Sequence, residues 1–279
     1  MIWPFRRKPL LDPETSDWMF EHVEWLLTHH AHRSAFASTR LLPLSERHFP
    51  IDDLGGHGAA QRLLEHVKAY AFVDHLNVTL RADPTSGRFD QGGAGHMPQP
   101  RMTAAGTYRF TGYNTEITYD KRLVERPAEL IAILAHEISH AVLDFGSDRP
   151  APSEADEMLT DLSAIFLGFG FYLMVFRYET RVASPEVARE WATYFSEYMS
   201  LREICFATAL YALLKSADKA TTLSHAGAVV GPDARAHLKR AFADLERDSA
   251  RVEALRETMA KLAPRRTGSP AIRLVPKDR

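Results

Sequence analysis

Residues 136–140 read His-Glu-Ile-Ser-His inside an apolar stretch spanning 128–143, and this pentapeptide constrains the fold more than any other feature. Residues four apart lie on one face of an α-helix, one turn above each other. His136 and His140 can therefore aim two imidazoles at a single ion. Glu137, rotated by about 100° on the same helix, can hold a water beside that ion without being a ligand. Pro127 stands at a natural first-turn position. Ile131, Leu134, Ile138, Val142 and Phe145 mark an opposite, core-facing side. The chain holds 13 His among 279 residues, enough for the pattern to arise by chance, so its surroundings must decide.

Those surroundings offer a third ligand. Ser153 with Asp156 has the form of a capping box, so a second helix is expected to start there. Along it Glu157, Asp161, Ala164 and Gly168 share one stripe. Glu157 would complete a metal site, with Glu154 and Asp156 as rivals for the same role. The three acids also suit a helix start on electrostatic grounds alone. Asp161, one turn past Glu157, could accept a hydrogen bond from the far nitrogen of a ligating His and fix its tautomer. Ala164 and Gly168 would let this helix approach another closely. Residues 144–151 read as the intervening loop.

The series His136-Glu137-x-x-His140 followed by Glu157-x-x-Thr160-Asp161 resembles the gluzincin zinc metallopeptidases, over roughly residues 107–170. The resemblance implies zinc held by His136, His140 and Glu157, with Asp161 bracing a ligand His and Glu137 as general base for peptide hydrolysis. It also implies an edge strand just before the metal helix that pairs with an extended peptide, and weakly marks Asn114 as a grip on substrate backbone. A Tyr or His steadying the oxyanion belongs to the same picture. Tyr172, Tyr178, Tyr194, Tyr198, Tyr211 and His225 are eligible, and the sequence does not choose among them.

Bulk properties narrow the alternatives. A chain that is 45% hydrophobic can bury a sizeable core. A net charge of −2, from 34 basic and 36 acidic residues, gives no footprint for nucleic acid. One cysteine, Cys205, excludes an internal disulfide, fits a reducing, cytoplasmic setting, and falls in an apolar pattern that suits a core position. The most hydrophobic run, 162–176, is shorter than a membrane span requires and is bounded by Asp161 and Arg177. A buried helix bent near Gly168 and Gly170 is expected, and membrane association is not.

The expected architecture is α+β: a small mixed sheet with an edge strand over the metal helix, then a mainly helical C-terminal half. Residues 1–16 form an arm, 17–178 the metallopeptidase-like core, 179–263 a helical lobe packed on it, and 264–279 a disordered tail. Strands are expected at 76–80, 108–110 and 116–120, separated by a glycine-rich loop over 83–101. Helices are expected over 17–33, 58–73, 186–200, 201–215 and 232–261. The His29-His30-x-His32 run reads as a solvated helix end. Two rival functions remain: a zinc-binding protein of this fold without peptidase activity, and a helical scaffold bearing the motif by chance. The oligomeric state is not legible.

Overall fold

The computed structural model of the protein describes residues 8–30, 32–51, 54–83, 106–110, 114–144, 156–182 and 198–262. The glycine-rich loop, Phe145, the Ser153 helix start, the 186–200 helix as far as residue 197 and the tail lie outside them. The described chain is mostly helical, with one small mixed sheet.

Local chemistry starts each element. Asp12 accepts from Thr15 N (2.9 Å) and Pro13 follows, so α1 runs Pro13–Thr28. It begins earlier than Asp17, so part of the expected arm is helical. Leu10 ahead of it is buried, and its N–H donates to Asp244 Oδ2 (2.7 Å). A short α2, Arg33–Ser38, follows, then α3, Gly56–Tyr70. His30 is 1% exposed, between Trp25 and Phe36, which corrects the solvated reading for that residue, while His29 is exposed as expected.

Strands β1 (Val78–Ala82), β2 (Gly106–Phe110) and β3 (Thr115–Tyr119) form the order β1-β3-β2. β1 lies parallel to β3, and β2 antiparallel to it, with Gly106 opposite Tyr119. On β3, Thr115, Ile117 and Tyr119 are buried. Glu116 on the other face sits between Arg81 (3.4 Å) and Arg109 (3.1 Å). The strand directly preceding the metal helix is thus central, not an edge. Its backbone is hydrogen-bonded on both sides and cannot receive a peptide. Among the described strands β2 is an edge, and β2 packs on the metal helix.

That helix, α4, runs Pro127–Asp144. It is buried nearly all round, because α3, α5, α6 and the sheet surround it. The face that carries His136 and Glu137 is therefore enclosed as well as the core-facing side. α5 (Asp156–Ala164) continues through a wide π-turn, Ile165–Phe169, into α6 (Gly170–Val182). The bend expected here is real. Gly168 has φ +109°, donates no side chain, and lies against the Arg40 carbonyl, where a Cβ would collide. Its own carbonyl accepts from Leu42 N (3.0 Å). The helical run Glu157–Arg177, at 21 residues, is longer than the sequence suggested and apolar enough to cross a membrane, but 94% of its most apolar window is buried in the protein.

Beyond it lie α7 (Leu201–Leu214), α8 (Lys219–Val229), α9 (Pro232–Arg247) and α10 (Ser249–Leu262). A Ser200–Glu203 capping box opens α7. The single helix expected over 232–261 is two, turning at Asp248. A straight helix of that length would extend about 45 Å, past the core. The turn lets Leu238, Phe242 and Leu245 on one segment, and Val252, Leu255 and Met259 on the other, all be buried. One apolar core joins residues from Leu10 to Met259.

Candidate metal centre

α4 and α5 pack against each other and bring their polar residues into register. His136 Nε2 lies 3.0 Å from Glu157 Oε2, and His140 Nε2 lies 3.5 Å from the same oxygen. One ligand atom from each of the three residues falls within 4.8 Å of the others. The two imidazoles meet edge to face, 82° apart. Ligand atoms about 2.1 Å from a tetrahedral centre stand roughly 3.4 Å apart, and the two His–Glu separations bracket that value. A buried His-His-Glu group of this kind could hold a metal ion. The rival Glu154 and the side chain of Asp156 lie outside what is described.

The far nitrogens are engaged as well. His136 Nδ1 is 2.9 Å from Asp161 Oδ1, as expected of a brace. His140 Nδ1 is 3.3 Å from Thr160 Oγ1, and the Tyr108 ring stacks on the same imidazole at 5.5 Å. Asp161 Oδ2 accepts from Met199 N (3.0 Å) and lies 3.5 Å from Arg177 Nη2. The chain entering α7 is thereby tied to the centre.

Comparison with family models, curated proteins and solved structures yields no match for this chain. The chemistry must therefore be judged from the donor set.

Burial opposes a charged His136 ring, yet hydrogen bonds to Asp161 and Glu157, with the charges of Asp161 and Glu137, raise its pKa to about 10. Burial also opposes an ionised Glu157, but its bonds to His136 and His140 hold it well below the usual carboxylate range. A positive charge at this point, on a proton or a cation, is what the surrounding carboxylates favour. Glu137 is only 6% exposed, and burial pushes its carboxyl above the usual range against the pull of the His136 and His140 charges. Its partner in space is Gly106 at the start of β2. A Cβ there would lie 2.6 Å from Glu137 Oε1 and 2.6 Å from Ile133 Cγ2.

A cavity of about 30 Å³ lies beside Glu137 and His136, walled by Ala132, Leu173, Phe176 and Ile204, with Arg177 and Tyr198 also lining it. Among the described candidates Tyr198 reaches this site, its ring 5.4 Å from His136. Tyr172 donates to Pro43 O, Tyr211 donates to Thr39 Oγ1, and His225 accepts from Leu44 N. Tyr194 and the side chain of Tyr178 are outside the described residues. Asn114 donates to Thr79 Oγ1 on β1, on the side of β3 away from β2. Sequence reasoning missed Thr160, Gly106, Tyr108 and Arg177. Only Thr160 carried a signal: positions 157, 160 and 161 share one helical face.

Proposed function

We propose that the protein is a zinc metallopeptidase whose ion is held by His136, His140 and Glu157. The observation that carries this reading is the convergence of both Nε2 atoms on Glu157 Oε2 while Asp161 grips the far side of His136. Two imidazoles and one carboxylate are the donors of a catalytic rather than a structural zinc site, which leaves a fourth position open. When bound, zinc supplies Lewis acidity, polarising a carbonyl and lowering the pKa of water toward about 7. Glu137 takes a proton from the attacking water and later returns it to the leaving amine. Burial makes its carboxylate a stronger base for that transfer. Asp161 keeps the His136 Nδ1 hydrogen in place, so that Nε2 presents its lone pair. Tyr198 is the tyrosine best placed to steady the oxyanion. The β2 edge, which reaches Glu137 through Gly106, is the strand on which an extended peptide would add.

A second reading has its own support. His136 and Glu137 are 7% and 6% exposed, and the adjoining cavity has room for about one water. A zinc protein without peptidase activity would look the same. A mixed peptide pool, incubated with wild type and Glu137→Gln, with and without chelator, separates the two. Peptide hydrolysis that needs zinc and falls at least about 10²-fold in the variant supports the peptidase. Zinc-loaded wild type that cleaves nothing supports the second reading.

A further inference from the structure

We infer that Thr160 is a positioning residue for the metal ligand His140, an assignment that rests on the metal centre proposed above but not on its peptidase activity. Both imidazoles turn Nε2 toward Glu157 Oε2, so both must settle their Nδ1 on the opposite side. A neutral imidazole that ligates through Nε2 carries its hydrogen on Nδ1 and needs an acceptor there. For His136 the acceptor is Asp161 Oδ1 (2.9 Å). For His140 it is Thr160 Oγ1 (3.3 Å). A hydroxyl oxygen has two lone pairs, so it accepts this bond while its own hydrogen turns to another acceptor. Thr160 is completely buried, which leaves no bulk water to compete for His140. Tyr108 packs on the face of the same ring. Stacking fixes the plane of the imidazole, and the hydroxyl selects which nitrogen faces the metal.

The choice of a hydroxyl over a second carboxylate has a charge argument. Glu157, Asp161 and Glu137 carry three negative charges, which a divalent ion and the Arg177 guanidinium 3.5 Å from Asp161 already balance. A carboxylate at position 160 would add an uncompensated buried charge. One turn of α5 thus supplies a ligand from Glu157 and both braces from Thr160 and Asp161, one neutral and one charged.

The test measures zinc affinity of full-length wild type, Thr160→Val and Thr160→Ser by chelator competition. Thermal melts of the zinc-free proteins and visible spectra of their cobalt forms accompany it. Valine keeps the shape and removes the acceptor, so zinc affinity falls about tenfold or more and the cobalt bands change. Serine restores both. A purely structural role would lower the zinc-free melting temperature of the valine variant without serine rescuing the cobalt spectrum, and would overturn the assignment. So would a valine variant with wild-type affinity and spectrum. Wild type that takes up neither metal would contradict the metal centre itself, a failure distinct from these two.

Discussion

At Asp161 one carboxylate serves two tasks. Oδ1 receives the His136 ring, while Oδ2 receives Met199 N and faces Arg177. Asp161→Ala should weaken zinc binding roughly 10- to 100-fold without abolishing it. It should also lower the melting temperature of the zinc-free protein, since a buried N–H and guanidinium lose their acceptor. Chelator competition and melting curves check both; complete zinc loss in this variant with retention in Glu157→Ala would reverse the ligand assignment. His136 sets a pH dependence. Its raised pKa, about 10 in the metal-free protein, means that its protonation stabilises the fold from below the unfolded value and is lost as pH rises through 10. Zinc must displace that proton. Affinity therefore climbs with pH by up to about tenfold per unit below 10, and calorimetry in buffers of different ionisation enthalpy should register one proton released. Affinity independent of pH between 6 and 9, on the order of neutrality, would contradict this. Gly106 is a matter of space. Gly106→Ala drives a methyl into Glu137 and Ile133, so hydrolysis should fall on the order of 10²-fold while zinc is kept. Unchanged turnover would show that Glu137 does not depend on this contact.

At the level of the element, α4 was legible because Pro127, the apolar run and the HExxH spacing all agree. The placement of Glu157 and Asp161 on the α5 face that meets His136 was legible for the same reason. The sheet order was not: a strand five residues long carries no mark of whether one neighbour or two will pair with it. Gly106 was illegible beside the many glycines of 87–95. α8 escaped because its eleven residues, Lys219–Val229, bury only Thr222 and Ala226. Two backbone positions yield stability predictions. Phe72, just past α3, adopts φ +58° and is half exposed. Glycine suits a left-handed helix end, so Phe72→Gly should stabilise the protein by about 1 kcal/mol, read as a higher thermal midpoint. A lower midpoint would mean that the ring's packing outweighs its backbone strain. Gly168→Ala should destabilise by more than about 2 kcal/mol, because φ +109° and the Arg40 carbonyl both oppose a side chain.

Across the whole molecule, the C-terminal helices share one apolar core with α4, α5 and α6, and Met199 N ties the start of α7 to Asp161. Burial here joins residues that no local periodicity links, from Leu10 to Met259. The same integration explains the membrane-length helix: Glu157–Arg177 is apolar because protein surrounds it on nearly every side. It also accounts for the burial of His136 and Asp161, whose polar atoms are held by one another and by Glu157 and Met199 N. A buried cluster of two imidazoles and three carboxylates is stable only if protons or a cation compensate it. The central claim is that the compensating group is one zinc ion. Elemental analysis of protein purified without chelators and titrated with zinc tests it directly. About one zinc per chain, lost in His136→Ala, is the predicted result; protein that retains no metal after zinc titration, or His136→Ala that holds as much as wild type, would contradict it.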